Sequence, residues 1–256
     1  MTNKDLISQY VDTGLGITRY QFDKLSSNDK KTYLRKMQIS VVHKPQYLEY
    51  YYGELPEEVK LNIVKNNGEG IQYINNPSYE IQLAAVRQKG EVIRYINNPS
   101  YEIQLEAVRK SPWAFGVMVE EKGMTPSEEL QLIAVELEGA VIEFINNPSY
   151  KVQLAAVQQN GFAIQYIQNP SEEIQLIAVR QSGDIIDRIQ NPSEAVQLAA
   201  VQQNGSAIRY IQNPSEAVQL AAVQQNGFSI QYIQNPSQAV QVAAVNQNED
   251  AIHYID

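Results

Sequence analysis

Residues 191–212 read NPSEAVQLAAVQQNGSAIRYIQ, and this segment recurs with small changes along most of the chain. Aligned on one apolar position, the copies fall at Leu61, Leu83, Leu105, Leu132, Leu154, Leu176, Leu198, Leu220 and Val242. Every interval is 22 residues, except the one between Leu105 and Leu132, which is 27. A fixed period of this length is typical of stacked units that cannot bury their apolar faces alone. The sequence therefore predicts a repeat array over residues 55–256.

Each copy predicts a long helix followed by a shorter one. In the stretch PSEAVQLAAVQQN, Val218, Ala221 and Ala222 share one face, which is the spacing of an amphipathic helix. The isoleucines of AIRYI, residues 207–211, lie three apart and predict either a single α turn or a 3₁₀ segment. A leucine-rich-repeat horseshoe competes with this interpretation, because the segment also imitates the strand-and-asparagine pattern of that fold.

Recurring residues mark the ends of the long helix. An Asn or Thr before Pro is the expected N-cap, with Pro as the first helical residue and Glu at the third position completing a capping box. A later Gly is expected to end the helix in the left-handed conformation. The caps are Asn76, Asn98, Thr125, Asn147, Asn169, Asn191, Asn213 and Asn235; the box residues are Glu128, Glu172, Glu194 and Glu216; the glycines are Gly68, Gly90, Gly139, Gly161, Gly183, Gly205 and Gly227. The Asn ladder also invites a ligand-binding interpretation, although capping accounts for it fully.

Together these features predict an all-α solenoid of about nine 22-residue long-helix/short-helix repeats. Residues 1–54 lie outside the period and are expected to form an N-terminal helical cap, with helices at 3–12 and 27–39. Residues 111–125 form an irregular unit with an insertion, in which Phe115 and Met118 are expected in the core. The domain prediction is thus a cap at 1–54 and a repeat solenoid at 55–256.

The repeat units resemble known families. Segments such as NPSEAVQLAAVQQNG, residues 191–205, resemble a tandem short-helix repeat family of unknown function found in bacterial, protist and phage proteins. They are also similar to leucine-rich variant repeats, which alternate an α-helix with a 3₁₀ helix. The resemblance covers about residues 55–256 and implies a right-handed α-solenoid. Those repeats typically carry Arg after the Val, whereas this chain has Gln, so no role of that Arg transfers. Neither family implies catalytic residues or a cofactor.

Charge and composition limit the classes of partner. Residues 1–54 carry eight Lys/Arg and six Asp/Glu, whereas 55–256 carry twelve and twenty-three. The acidic array makes nucleic acid an unlikely ligand for the repeats. The chain contains no cysteine, no apolar run long enough to cross a membrane and no signal-peptide core at its start. We therefore expect no membrane association and a cytoplasmic protein, in a host cytoplasm or a virion if it is viral.

The sequence offers little for catalysis. The two histidines, His43 and His253, are far apart in a repeat array, and neither a nucleotide-binding loop nor a metal-ligand spacing is present. We therefore expect no enzyme activity, no catalytic residue, no cofactor and no metal.

Aromatic and basic residues indicate a partner surface in the N-terminal half of the array. Exposed tyrosine is costly unless it packs or binds, and nearby arginines give this half a mixed aromatic and basic character. The only tryptophan lies in the irregular unit, where it is either an interface anchor or packed beneath the insertion. The predicted partner-binding residues are Trp113, Tyr79, Tyr101, Tyr150, Arg87 and Arg109.

Two further ladders run through the repeats. An aromatic ladder (Tyr73, Tyr95, Phe144, Tyr166, Arg188, Tyr210, Tyr232, Tyr254) is interpreted as packing between repeats, with a ligand platform as the alternative. A Gln ladder (Gln82, Gln104, Gln131, Gln153, Gln175, Gln197, Gln219, Gln241) is interpreted as bonding to nearby backbone or facing water, with a polar binding groove as the alternative.

The expected function is a non-enzymatic protein-binding solenoid that acts as a scaffold, adaptor or sequestering inhibitor. The resemblance suggests a phage accessory protein or virion component. The alternative is a nucleic-acid-directed protein, either a DNA mimic through its acidic array or a phosphate binder through Lys30, Lys31, Arg35 and Lys36. The C-terminal repeat is a candidate for self-association.

Overall fold

The computed structural model describes residues 17–51 and 53–255, and these contain helices but no strand. The all-α repeat fold is therefore confirmed, and the horseshoe alternative, which requires strands, is wrong. The chain divides into two compact units, Met1–Pro126 (unit 1) and Ser127–Asp256 (unit 2). This division falls inside the repeat array, and the boundary between 54 and 55 stays a prediction.

Each repeat, except the one that contains the helix Tyr101–Lys110, consists of a ten-residue α-helix followed by a six-residue 3₁₀ helix. The described part of unit 1 contains α1 (Arg19–Asp23), α2 (Ser27–His43), a 3₁₀ helix at Pro45–Tyr50, α3 (Glu57–Asn66), α4 (Tyr79–Gln88) and α5 (Tyr101–Lys110). Unit 2 contains α6 (Glu128–Leu137), α7 (Tyr150–Gln159), α8 (Glu172–Gln181), α9 (Glu194–Gln203), α10 (Glu216–Gln225) and α11 (Gln238–Gln247). The 3₁₀ helices of the repeats are Gly68–Tyr73, Gly90–Tyr95, Gly139–Phe144, Gly161–Tyr166, Gly183–Arg188, Gly205–Tyr210, Gly227–Tyr232 and Glu249–Tyr254. Of the two predicted forms of the short element, the structure selects 3₁₀.

The N-terminal segment is helical where the structure describes it. The predicted helix at 27–39 extends to His43 and buries Tyr33 and Met37, with Phe22 of α1 packed 5.5 Å from the Tyr33 ring. The predicted helix at 3–12 lies outside the described residues.

Each long helix starts two residues later than predicted. Ser193, not Asn191, is the N-cap of α9, and its Oγ accepts a hydrogen bond from the Val196 N–H. The Asn two positions earlier adopts a left-handed conformation, with φ near 50° in all seven copies that precede Pro-Ser. Asn tolerates this region better than other non-Gly residues. The expected capping box is also wrong, because Glu194 is the first helical residue and not the third.

The repeat glycines serve a different purpose from the predicted one. Of the described glycines, only Gly123 has a positive φ, so the others do not end helices in the left-handed conformation. The repeat glycines begin the 3₁₀ helices, where the next repeat approaches closely. A Cβ on Gly183 would lie 2.3 Å from the Ala200 carbonyl oxygen, and a Cβ on Gly205 would lie 2.5 Å from the Ala222 carbonyl oxygen. Glycine is therefore required by contact between repeats.

The core is a repeated set of small and branched side chains. In α10, Val218, Ala222 and Val223 are fully buried, whereas Leu220 and Ala221 are half-buried. The buried Ala recurs in eight helices, as Ala85, Ala107, Ala134, Ala156, Ala178, Ala200, Ala222 and Ala244. Isoleucines of the 3₁₀ helices complete each layer, as Ile208 does for its repeat. A small residue at the Ala position lets successive helices approach closely, as predicted.

The irregular unit replaces a 3₁₀ helix with a short helical turn, Ala114–Gly116, which continues as a π-helical turn at Val117–Glu121. Phe115 and Met118 are almost completely buried, which confirms their predicted place in the core. Gly123 then reverses the chain at φ 62°.

The repeat containing α11 differs from those before it. Glu249 begins its 3₁₀ helix where the preceding repeats of unit 2 have Gly. Ile252 is 57% exposed, whereas the equivalent Ile230 is 1% exposed, and Val242 is also exposed. Within the described residues, this repeat therefore exposes two apolar side chains, Val242 and Ile252.

Candidate binding surface

Adjacent repeats are joined by a hydrogen bond that the sequence analysis did not anticipate. In six repeats, a Gln at the end of the long helix accepts a hydrogen bond from the N–H of the Gly in the preceding repeat, as Gln203 Oε1 does from Gly183 at 2.6 Å. The pairs are Gly68–Gln88, Gly139–Gln159, Gly161–Gln181, Gly183–Gln203, Gly205–Gln225 and Gly227–Gln247, at 2.6–3.0 Å. The signal in the sequence is the constant separation of 20 residues between these Gly and Gln residues.

A second inter-repeat hydrogen bond links the helix starts. The N-cap Ser of one repeat donates through Oγ to the Glu that opens the previous long helix, as in Ser215–Glu194. The other pairs are Ser78–Glu57, Ser149–Glu128, Ser193–Glu172 and Ser237–Glu216. These bonds set the register in which successive repeats face each other.

Four recesses follow one another along one side of unit 2. Each lies between the loops that precede two successive long helices, and we name it after one lining residue: the Glu143, Gln165, Asp187 and Arg209 recesses. Their volumes are about 380, 480, 740 and 730 Å³, respectively. Neighbouring recesses share lining residues, for example Gln190 between the second and third. The four recesses therefore form a continuous feature, which we call the amide lane.

The same carboxamide groups line every recess, and we call this set of side chains its floor. In the Gln165 recess, Gln168, Asn169 and Gln175 contribute carboxamide groups. Gln175 donates through Nε2 to the Pro170 carbonyl oxygen at 2.9 Å, which fixes the orientation of its amide. The same bond occurs within seven repeats, as Gln82–Pro77, Gln104–Pro99, Gln153–Pro148, Gln175–Pro170, Gln197–Pro192, Gln219–Pro214 and Gln241–Pro236. Bonding of the Gln ladder to nearby backbone is thus confirmed, and four of these Gln residues also line recesses.

The walls of the recesses vary from repeat to repeat. One wall carries the last residue of the next 3₁₀ helix, which is Tyr166, Arg188, Tyr210 and Tyr232 in order. The three tyrosines are 38–40% exposed, so part of each side chain is accessible to solvent. The aromatic ladder is therefore neither buried between repeats nor fully solvated.

Charged groups in the lane are paired only with exposed partners. Arg188 lies 3.6 Å from Asp187, and Arg209 lies 3.6 Å from Asp184. The Arg209 guanidinium also lies over the Tyr210 ring, 4.6 Å from its centroid. Desolvation acts to lower the pKa of Arg209, but Tyr210 and Asp184 outweigh it and leave that pKa raised. Exposed ion pairs of this kind hold their side chains weakly.

The predicted partner-binding residues of unit 1 fall at several places. Tyr79 and Tyr101 are the first residues of α4 and α5; Tyr79 is half-exposed and Tyr101 is half-buried. Trp113 is 44% exposed at the start of the irregular unit.

The two predicted arginines of unit 1 meet at one carboxylate. Glu106 accepts a hydrogen bond from Arg87 at 2.7 Å and lies 3.6 Å from Arg109. The Arg87 guanidinium is the main cause that holds the pKa of Glu106 below its usual value.

Tyr150, the remaining predicted residue, belongs to unit 2. It opens α7 and donates a hydrogen bond through its hydroxyl to Glu173 at 2.6 Å, and this bond raises the pKa of Tyr150. It lies outside the residues that line the amide lane.

The sequence contains a signal for the lane in the relation between the Gln ladder and the aromatic ladder. A binding groove and a ligand platform are the alternatives that the sequence predicts for these two ladders. Gln197 and Tyr210 lie 13 residues apart, as do Gln175 and Arg188, and each pair lines one recess. Two ladders with the same period and a constant offset indicate a shared surface.

Within residues 17–51 and 53–255, no group of three or more His, Cys, Asp or Glu side chains is placed to hold a metal ion. No helix in the described part of the chain has both the length and the apolar composition needed to cross a membrane. Comparisons of the chain with protein-family models, with curated proteins and with solved structures gave no match.

Proposed function

We propose that this chain is a non-catalytic protein-binding repeat protein whose amide lane receives an extended segment of a partner protein. The observation that carries the proposal is the run of four linked recesses with a constant carboxamide floor. A long partner segment would meet the same groups at each step, so a modest contact at one recess would be repeated along the lane.

The chemistry of the floor favours polypeptide as the ligand. A carboxamide offers both donors and an acceptor, which complements a peptide backbone that carries one N–H and one C=O per residue. Unit 2 contains 14 Asp/Glu and 4 Lys/Arg, a net charge of −10. Such a surface repels phosphate, so a nucleic acid is disfavoured relative to a neutral or basic polypeptide.

A protein of this kind would act as a scaffold, an adaptor or a sequestering inhibitor, by holding one partner without altering it chemically. The resemblance to short-helix repeats of phage proteins makes a phage accessory protein or virion component the specific form of the proposal, with the cytoplasm or a virion as its place. The exposed Trp113 and the Arg87–Glu106–Arg109 cluster of unit 1 are proposed as a second contact region.

The proposal is tested by selecting binders from a displayed random-peptide library on the full chain. Binders are then measured against a lane variant, Gln190→Ala with Tyr210→Ala. The matched control is Gln202→Ala with Gln224→Ala, at exposed helix positions outside the recesses. We expect the lane variant to weaken binding at least tenfold and the control to leave it unchanged. Trp113→Ala and Tyr101→Ala test the second region in the same assay.

Two results would contradict the proposal. If the selected peptides bind the lane variant and the wild type with equal affinity, the lane is not the binding site. Salt-sensitive binding of DNA or RNA by the full chain, with no lane-dependent peptide, would support the nucleic-acid alternative. Circular dichroism of each variant checks that the exposed substitutions leave the helices intact.

A further inference from the structure

The spacing of the lane carries information about the conformation of its ligand. Successive long helices of unit 2 pack directly against one another. Packed helices lie about 8–10 Å apart, so successive recesses recur at about that distance. A ligand that uses the same kind of group in each recess must therefore repeat its own structure every 8–10 Å.

Of the regular polypeptide conformations, polyproline II fits this spacing. It rises about 3.1 Å per residue with three residues per turn, so one face recurs about every 9.3 Å. A β-strand covers a similar distance in three residues, but its side chains alternate between faces, and every third residue points away. An α-helix rises about 1.5 Å per residue and needs about six residues for this distance, which does not return to the same face.

The groups in the recesses suit this conformation. A polyproline II backbone makes no internal hydrogen bonds, so its carbonyl oxygens are open to outside donors. In the Asp187 recess, Gln190, Asn191 and Gln212 supply amide N–H groups, and Tyr210 supplies a partly exposed aromatic side chain. Aromatic-lined grooves are how proteins commonly bind proline-rich segments, because the preformed helix loses little entropy on binding.

Charge selects among proline-rich segments. The lane itself contains acidic Glu143 and Asp187 as well as Arg188 and Arg209, so its own charges nearly cancel. The surrounding unit carries a net charge of −10, which attracts basic residues on the ligand faces that point away from the floor.

We propose that the amide lane binds a basic, proline-rich polypeptide segment in the polyproline II conformation, with every third residue entering a recess. This inference rests on the proposed function and names the class of its ligand. Four recesses in a row require a segment of about ten residues, because three turns separate the first and last contacts.

The test uses a fluorescein-labelled peptide of four Pro-Pro-Lys triplets, titrated against the full chain by fluorescence anisotropy. The first control is its mirror image made of D-amino acids, which has the same charge and composition but the opposite helical hand. The second control keeps the composition and shuffles the lysines out of the three-residue period. We expect the L-peptide to bind at least tenfold more tightly than either control, and the lane variant (Gln190→Ala with Tyr210→Ala) to lose at least tenfold. The Gln202→Ala, Gln224→Ala control should lose nothing.

A length series sharpens the test. Peptides of one to five triplets should gain affinity up to about four triplets, where the lane is filled, and little beyond that. Equal binding of the L- and D-peptides would show attraction by charge alone and would overturn the inference. Lane-dependent library peptides with neither proline nor a three-residue period would also overturn it and leave the proposed function standing. If no library peptide binds the lane variant more weakly than the wild type, the proposed function itself is wrong.

Discussion

Replacing Gly183 by Ala tests the claim that repeat glycines are required by contact with the next repeat. The new Cβ would lie 2.3 Å from the Ala200 carbonyl oxygen, about 0.7 Å inside the closest approach that Cβ atoms normally make. That carbonyl already accepts the Asn204 N–H at the end of α9, so moving it disturbs the helix end as well. Overpacking of this kind costs about 1–3 kcal/mol.

The same substitution also strains the inter-repeat hydrogen bond from Gly183 to Gln203. Losing a typical hydrogen bond costs about 1 kcal/mol, so the expected loss of unfolding free energy is about 3 kcal/mol. Urea unfolding followed by far-ultraviolet circular dichroism measures it, with hydrogen exchange of the α9 amides to locate the loss. Exchange is needed because repeat arrays do not always unfold in one step.

Gly123 provides the matched control. It has φ 62° and no neighbouring atom within 4 Å of a Cβ, so Gly123→Ala should cost only the strain of the left-handed conformation, about 1–2 kcal/mol. Because Asn tolerates the left-handed conformation, Gly123→Asn should lower the unfolding free energy less than Gly123→Ala does. Gly183→Asn should lower it at least as much as Gly183→Ala does. A Gly183→Ala protein within about 0.5 kcal/mol of the wild type would refute the steric argument.

Four further predictions concern stability, pH and assembly. Gln203→Ala should lower the unfolding free energy by about 1–2 kcal/mol, because the Gly183 N–H loses its acceptor. Gln202→Ala, at an exposed position, should change the unfolding free energy by less than about 0.5 kcal/mol. Equal effects of the two substitutions in urea unfolding would contradict this prediction. Ser229→Ala should stabilise the protein by about 1 kcal/mol, because the buried Ser229 hydroxyl has no hydrogen-bond partner among the described residues, and a lower unfolding midpoint would count against it. The pKa of Glu106 is lowered from 4.5 chiefly by the hydrogen bond from Arg87, so the ionised carboxylate stabilises the fold above pH 4.5, and this stabilisation is lost as the pH falls through the lowered pKa. The difference in unfolding free energy between the wild type and Glu106→Gln should therefore shrink on acidification. A difference that is independent of pH between 7 and 3 would exclude the effect. The exposed apolar side chains of Val242 and Ile252 should support weak self-association that Ile252→Gln abolishes, and sedimentation showing one monomeric species at all concentrations would rule it out.

The repeat length and helical class could be predicted from the sequence because both depend on local periodicity. The helix start could not be assigned correctly, because Asn191 and Ser193 are both good N-caps and Pro192 is compatible with either choice. Only the observed left-handed conformation of Asn191 decides between them.

Features that depend on the next repeat were harder to predict. The requirement for Gly205 comes from a carbonyl oxygen 17 residues away in the chain, and no local pattern reports that distance. The amide lane is similar, because each recess combines residues from two repeats. Aromatic and basic side chains predict a partner surface in the N-terminal half of the array, but side chains of these types do not mark a groove built from carboxamides.

The Glu249 side chain has a consequence for how such an array can change in length. A unit seated on this repeat in the usual register would bring its Ala carbonyl oxygen against the Glu249 Cβ, as it would against a Cβ at Gly227, where the distance is 2.6 Å. Duplication of a 22-residue segment would therefore be accommodated more readily between Gly139 and Gly227, where each 3₁₀ helix of unit 2 begins with Gly. A further 22-residue unit inserted at such a Gly-containing junction would lengthen the amide lane by one recess.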